Sequence, residues 1–170
     1  AELGVLAVIL PEAAPAALAA LVATEQSQGI TPDPLRRLAA LLPAQVPLAE
    51  QIASRFRLSG AQKKRLALAA GRAAARAAEP GDARALAYRI GHDGALDRLL
   101  IAGADASPIA GWQIPEFPLK GGQIVARGVG AGPEVARVLR RVEDRWIAEG
   151  FPAAPRVDAL LDAELAEQNS

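Results

Sequence analysis

A run of basic side chains without any acid lies between residues 51 and 78. Its members are Arg55, Arg57, Lys63, Lys64, Arg65, Arg72 and Arg76. On a helix, Arg65, Arg72 and Arg76 fall in one narrow angular sector, because steps of seven and eleven residues nearly complete whole turns. A row of guanidinium groups suits the phosphate backbone of a nucleic acid. We therefore predict that these three arginines share one exposed ridge.

The same charges allow a second interpretation. The formal net charge of the chain is zero, and a basic face can be a solvated surface whose arginines pair with acids elsewhere. Seven acidic residues lie between Glu143 and Glu167 and are available as partners. The charge pattern alone leaves both interpretations open.

A glycine-rich bend at residues 128–133 is the second candidate site. Pro133 ends the bend, and proline is tolerated in the first turn of a helix because its missing N–H has no partner there. Backbone N–H groups at such a helix start can hold an RNA phosphate, here with help from Lys120 and Arg127. The alternative is a structural turn. A dinucleotide fingerprint is excluded, because Pro133 replaces its third glycine and no strand precedes the bend.

Other chemistry is limited by composition. The chain has no cysteine, so disulfides and thiolate metal sites are excluded. It has a single histidine, so the pair His92-Asp93 cannot supply a metal site that needs several ligands. Trp112 and Trp146 could stack on bases, but Trp146 lies on an apolar stripe and is predicted to be in the core.

Helices must position these residues. Alanine and leucine dominate and no run of alternating β-branched residues occurs, which predicts an all-α, multi-helix array. Asp33 is expected to cap one helix, and Ser59 with Gln62 to form a capping box at the start of another. After a first segment that ends at Pro11, the predicted helices are 15–26, 34–42, 48–56, 59–78, 82–101 with a break at Gly91, 133–146, and a last one from about 157 to 165.

The helix after the glycine bend is strongly amphipathic. Its apolar residues recur at steps of three and four, which predicts one buried stripe. That stripe consists of Val135, Val138, Leu139, Val142 and Trp146. Arg137, Arg140 and Arg141 fall on the opposite side, so one face is expected to pack and the other to be basic.

The stretch from Phe117 to Trp146 carries a recognisable pattern: LKGGQI at 119–124, then Gly128, then AGP at 131–133. It resembles the C-terminal signature of the bacterial tRNA nucleotidyltransferase/poly(A) polymerase family, which includes the CCA-adding enzymes. In that family a Leu-x-Gly-x-Asp-Leu turn precedes a glycine, a Pro-Gly-Pro helix start and a leucine-rich helix.

Two positions depart from this pattern, and two further stretches extend it. Gln123 replaces the family's acid and Ala131 its first proline, so a role that needs a carboxylate at 123 does not carry over. Residues 3–12 and 33–41 are similar to the helical body of the family. The resemblance therefore touches both ends of the chain.

The resemblance implies a fold and a function. It implies the C-terminal RNA-binding region of that family, with a helical body at 1–102, a connecting loop at 103–118 and tail helices at 119–170 packed on the body. It also implies that this region binds tRNA through shape and phosphates. The RNA-binding residues expected from the charge pattern and the resemblance are Lys63, Lys64, Arg65, Arg72, Arg76, Lys120, Gly121, Gly122, Arg127, Arg137 and Arg141.

Catalysis is not expected from this chain alone. Nucleotidyl transfer in the family needs two carboxylates, two residues apart on a strand, which hold Mg²⁺ against the triphosphate. No such pair on a strand is found here. The resemblance implies an N-terminal catalytic domain upstream, with Mg²⁺ and nucleoside triphosphates as its cofactor and substrates. The alternative function is a helical protein–protein interaction domain whose basic face meets an acidic partner.

The sequence also suggests where the protein works. No apolar run reaches the ~18 to 20 residues of a membrane span, and the first ten residues lack a signal-peptide pattern. We therefore expect a soluble, cytoplasmic protein. The chain lacks methionine and its apolar spacing is already under way at Leu3, so we expect a fragment of a longer protein.

Overall fold

The structure, a computed structural model, describes residues 5–74 and 82–168. Within these ranges the chain forms ten α-helices and two short 3-10 turns, with no β-strand. The predicted all-α, multi-helix class is therefore confirmed. The chain divides into two compact units, Ala1–Ile114 and Pro115–Ser170. No helix in the described ranges is both long enough and apolar enough to cross a membrane.

The breaks between helices in the first unit fall at prolines and glycines. A proline stands in the first turn of α2, α3 and α4, where its missing N–H has no helical partner. Gly91 separates the last two helices and has a φ of +84°, which favours glycine. The helices described are α1 (Val5–Ile9), α2 (Pro15–Ser27), α3 (Pro34–Leu41), α4 (Val46–Arg55), α5 (Gly60–Ala70), α6 (Asp82–Ile90) and α7 (His92–Ile101).

Two predicted caps are confirmed. The Asp33 carboxylate accepts a hydrogen bond from the Arg36 backbone N–H at 2.8 Å, at the start of α3. At the start of α5, Ser59 Oγ accepts from the Gln62 N–H and Gln62 Oε1 accepts from the Ser59 N–H, at 3.3 and 2.9 Å. Both caps satisfy N–H groups that have no partner within the helix.

The end of α5 differs from the prediction, which extended this helix to residue 78. The α-helix ends at Ala70 and a 3-10 turn follows at Gly71–Ala74. Arginine side chains bind the last carbonyls of α5: Arg98 Nε donates to Leu68 O at 2.6 Å and Arg72 Nη1 to Ala69 O at 3.2 Å. A cation at this end is also favoured by the helix dipole. Residues 75–78 lie outside the described part of the chain.

Buried apolar side chains form two clusters in the first unit. The larger side chains of the first cluster come from α4, from α5, from the residue directly after α3 and from the end of the N-terminal segment: Ile52, Leu66, Leu42 and Leu10. Those of the second cluster come from α2, α7 and the 3-10 turn Ser107–Ile109: Leu21, Leu99, Leu100 and Ile109. α3 contributes Ala39 to the first cluster and Ala40 to the second, so it lies between them.

The predicted connecting loop at 103–118 is partly built into the first unit. Ile109 is fully buried, and Trp112 packs against the second cluster. The Gln28 side chain also holds this segment, since it donates to Ala104 O and accepts from the Ala106 N–H at 2.8 and 3.0 Å. The division between the units falls at Ile114, inside the segment that was predicted to be a loop.

The second unit contains α8 (Gly121–Ala126), α9 (Pro133–Ala148) and α10 (Ala154–Gln168) among its described residues. α9 packs against both other helices. The predicted helix start at Pro133 is confirmed, and Val138, Val142 and Trp146 are buried. Val135 and Leu139 are half-buried, so the apolar stripe lies on the packed side of α9 as predicted.

Trp146 is the centre of the second unit's core. It is 1% exposed, and the rings of Phe117 and Phe151 lie 5.1 and 4.9 Å from it between centroids. Its indole N–H donates to Pro152 O at 2.7 Å, so its polar atom is also satisfied. Trp146 is therefore a core residue, as predicted, and not a platform for a base.

Candidate nucleic-acid interface

The predicted exposed ridge of arginines is wrong for Arg65. Its Nε and Nη2 donate to the two carboxylate oxygens of Asp97 at 2.6 and 2.8 Å, and its Nη1 donates to Asp33 at 3.1 Å. The hydrogen bonds to Asp97, together with the Coulombic attraction of both carboxylates, raise the pKa of Arg65 above its ordinary value. The guanidinium of Arg65 therefore stabilises the fold and does not face solvent as a free cation.

The predicted ridge is also wrong for Arg72. It is half-buried, and its Nη2 donates to Leu42 O at 2.5 Å while its Nη1 binds the end of α5. Burial lowers the pKa of Arg72 from its ordinary value. Arg76 lies outside the described residues. Both described members of the ridge point into the first unit, because buried carboxylates and helix carbonyls there need donors.

Arg65 belongs to a network that links four helices. We call Glu25, Asp33, Arg36, Arg37, Arg65 and Asp97 the buried charge network. Arg36 is its centre and is 4% exposed: its Nε donates to Asp97 at 2.9 Å and its Nη1 to Glu25 at 3.0 Å. Arg37 binds the other oxygen of Glu25 at 3.0 Å. Three arginines and three carboxylates balance, so burial leaves no net charge.

Sequence reasoning missed this network, although one signal was present. Asp97 interrupts the apolar spacing of α7 between Leu96 and Leu99, at a position that is only 1% exposed. A carboxylate inside an apolar stripe requires a buried partner. The sequence does not say which arginine that partner is.

A groove between α4 and α5 keeps its charges unpaired. We call it the α4–α5 groove; it has a volume of about 340 Å³ and is lined by Glu50, Ser54, Lys63, Lys64 and Ala67. Within the described residues, Lys63, Lys64 and Glu50 make no ion pair, although all three line one groove. The structure thus brings together two of the predicted RNA-binding residues, and it adds Glu50, which the sequence analysis did not select.

The predicted basic residues of the second unit are largely neutralised by acids. Arg127 pairs with Asp158 at 3.1 Å and also with Asp162. Arg141 binds the buried Glu164 at 2.5 Å, and Arg137 binds Glu134 at 3.2 Å. Arg127 and Arg141 therefore pair with C-terminal acids. Pairing with acids elsewhere was the alternative considered for the basic run at 51–78, where Arg65 pairs with Asp33 and Asp97 instead. Two further basic side chains, Lys120 and Arg140, are exposed and make no ion pair in the described part of the chain.

The side chain of Gln123 holds the start of α8. Its Oε1 accepts a hydrogen bond from the Lys120 backbone N–H at 2.7 Å. An amide oxygen can make this local bond as a carboxylate would, without its charge. Gly121 is close to α9, since a Cβ there would lie 3.2 Å from a methyl group of Val135, while Gly122 is in open space. The motif LKGGQI thus forms a helix start that packs on α9.

The glycine bend has the predicted backbone, but only one of its two predicted helpers, Lys120, makes no ion pair within the described residues. Gly132 precedes α9 with a φ of +141°, a conformation that favours glycine. Arg127, which was expected to assist in phosphate binding, is held by α10. Glu134 places a carboxylate in the first turn of α9, where it opposes a second anion. The bend is therefore better explained as a structural turn.

The histidine has a structural role as well. His92 begins α7, and its Nε2 lies 3.0 Å from Ile109 O, within hydrogen-bonding distance. Among the described residues, no group of three or more His, Cys, Asp or Glu side chains could hold a metal ion.

Comparison with known proteins gives no match: no family, no curated protein and no solved structure resembles this chain significantly.

Proposed function

We propose that this chain is the tRNA-binding C-terminal part of a tRNA nucleotidyltransferase or poly(A) polymerase, and that its α4–α5 groove binds RNA phosphates. The observation that carries the RNA contact is that Lys63 and Lys64 line one groove and make no ion pair within the described residues. The family assignment is supported by the pattern in residues 119–133 and by the local roles of Gln123 and Gly132.

The chemistry of the two kinds of cation favours the lysines of the groove, and not the arginines, as the phosphate ligands. A guanidinium is planar and can form bidentate bonds with a carboxylate, as Arg65 of the buried charge network does with Asp97. A lysine ammonium is a strongly hydrated point charge and is a common phosphate ligand. Lys63 and Lys64 make no ion pair within the described residues, so under this proposal their ammonium groups contact an RNA backbone.

The remainder of the reaction belongs to the proposed upstream domain. Under this proposal, that domain supplies the two metal-binding carboxylates, and Mg²⁺ and the nucleoside triphosphate bind there. The present chain would hold the RNA while its 3′ end is extended. Whether the product is a CCA end or a poly(A) tail depends on the upstream domain.

A salt titration with tRNA tests the proposal. Each lost phosphate contact should lower the slope of log affinity against log salt by roughly one. Lys63→Ala/Lys64→Ala should therefore weaken binding at low salt and lower the slope by roughly one to two. Arg140→Ala is the control, because it removes one exposed cation of the second unit that makes no ion pair in the described ranges, and it should change binding less per charge removed.

Two results would contradict the proposal. One is the absence of tRNA binding by the unaltered chain at low salt. The other is an equal loss of affinity per charge removed in the groove variant, which loses two charges, and in Arg140→Ala, which loses one; this would indicate a response to overall charge. The first result would favour the alternative function, a domain that meets an acidic protein partner through its basic face.

A further inference from the structure

The α4–α5 groove has two chemically different walls. Glu50 and Ser54, one turn apart on α4, form a wall of hydrogen-bond acceptors, while Lys63 and Lys64 on α5 form a wall of donors. Ser54 Oγ donates to Glu50 O at 2.9 Å, so its oxygen remains able to accept a hydrogen bond. A polyanion alone would match the donor wall and be repelled by Glu50.

Glu50 differs in its ion pairing from other acids near α4 and α5. Glu12 binds Arg55 at 3.2 Å, and Asp33 and Asp97 bind Arg65. Within the described residues Glu50 makes no ion pair, although Lys63 and Lys64 line the same groove. Among the residues that the structure describes, the groove therefore presents a carboxylate and ammonium groups that are not engaged in ion pairs.

We propose that Glu50 reads the ribose 2′-hydroxyl of an RNA whose phosphate is held by Lys63 and Lys64, so that the groove distinguishes RNA from DNA. In RNA the 2′-hydroxyl lies on the carbon next to the one that bears the 3′-phosphate oxygen, so a donor and an anion are presented together. DNA offers the anion without the donor, and a protein can use this difference to tell the two apart. This proposal rests on the proposed function of the same groove.

The test compares one RNA hairpin with its 2′-fluoro counterpart of the same sequence. The 2′-fluoro hairpin keeps A-form geometry but lacks the hydroxyl donor, so the ratio of the two affinities isolates the 2′-hydroxyl contact from helix shape. The unaltered chain should prefer the RNA. In Glu50→Ala the ratio should fall by roughly three- to tenfold, the value of one hydrogen bond.

Glu50→Gln separates the hydrogen bond from the charge. It removes the negative charge but keeps an acceptor oxygen, so both hairpins should bind more tightly while the preference for RNA is largely retained. Glu116→Ala is the matched control: Glu116 is an exposed acid in the second unit without an ion pair in the described ranges, and its loss should leave the ratio unchanged. Far-UV circular dichroism checks that each variant is folded.

Failure of this inference is distinguishable from failure of the proposed function. If Glu50→Ala leaves the ratio unchanged while Lys63→Ala/Lys64→Ala weakens RNA binding, the role of Glu50 is overturned and the phosphate site stands. If the unaltered chain does not bind the RNA hairpin, both proposals are overturned. Displacement of the hairpin by an equimolar ribonucleoside monophosphate would also overturn the inference, because the groove would then be a site for free nucleotides.

Discussion

The two units of this protein differ in how deeply they bury their ion pairs, although each unit buries at least one carboxylate. The first unit buries Glu25, Arg36 and Asp97 between its helices. The second unit buries an aromatic centre around Trp146, and its arginines remain partly exposed where they pair with the acids of α10. In both units most arginines bind carboxylates or carbonyls of the chain itself.

The lysines behave differently from the arginines. The chain has three lysines, Lys63, Lys64 and Lys120, and none of them makes an ion pair in the ranges that the structure describes. A planar guanidinium matches a carboxylate with two bonds, whereas a hydrated ammonium gains less from such a pair. In this protein, whether a basic residue is a lysine or an arginine therefore indicates better than its place in a basic run whether it makes an ion pair.

The largest effect is expected when the aromatic centre of the second unit is removed. Trp146→Ala should lower the free energy of unfolding by ~3 to 5 kcal/mol, because it removes a fully buried ring and its hydrogen bond to Pro152. Urea unfolding followed by far-UV circular dichroism measures it. Trp112 is a half-buried tryptophan in the first unit, so Trp112→Ala should lower the free energy of unfolding by less. Equal losses would mean that the burial of Trp146 adds no stability beyond that of a half-buried ring.

The next largest effect is expected in the buried charge network. Asp97→Ala leaves Arg36 without one buried partner and should cost ~3 to 4 kcal/mol, the lower part of the usual range, because Arg65 is partly exposed and keeps Asp33. Asp93→Ala, on the same helix but 78% exposed at its side chain, is the control. If both variants unfold at the same urea concentration, the network does not stabilise the first unit.

A smaller effect is expected at the glycine bend. Gly132 has a φ of +141° and a ψ of −157°, a region essentially restricted to glycine, so Gly132→Ala should cost ~1 to 3 kcal/mol. Gly130→Ala is matched, since Gly130 also lies in open space but has no positive φ in the left-handed range. Thermal melts of the two variants measure the difference, and identical melting temperatures would contradict the conformational requirement at 132.

The smallest effect is expected on the pH dependence of stability, through the carboxyl group of Asp33. Partial burial acts to raise the pKa of Asp33, but the hydrogen bond from the Arg36 N–H and the pair with Arg65 outweigh it and lower that pKa. Because the pKa of the folded state is the lower one, this stabilisation is present above the ordinary value of 3.8 and is lost as the pH falls through the folded-state pKa. We expect less than about 1 kcal/mol, since burial offsets part of the gain and the 28% exposed side chain of Asp33 leaves the pair open to screening by solvent.

The variant Asp33→Asn checks this linkage, because asparagine also caps helices and removes only the charge. Its stability should vary less between neutral and acid pH than that of the unaltered chain, in urea unfolding at each pH. An unchanged pH dependence would mean that Asp33 does not contribute to acid sensitivity.

Much of the fold was predictable from local chemistry. Prolines, glycines and caps are read within a few residues, which is why the starts of α3, α5 and α9 were predicted correctly. The end of α5 was not, because arginines from α7 and from the chain just beyond α5 bind its last carbonyls. An end of this kind depends partly on a contact 30 residues away in the sequence.

In the candidate site, too, some features follow from nearby residues and others depend on contacts between helices. The sequence by itself determined the helical class, the buried position of Trp146 and the presence of cations near residue 64. Only the tertiary structure decided which cations are free: Arg65 faces Asp97 from another helix, whereas Lys63 and Lys64 face a groove. Spacing along one helix sets which residues share a face, but a charge is neutralised by whatever another helix places opposite it.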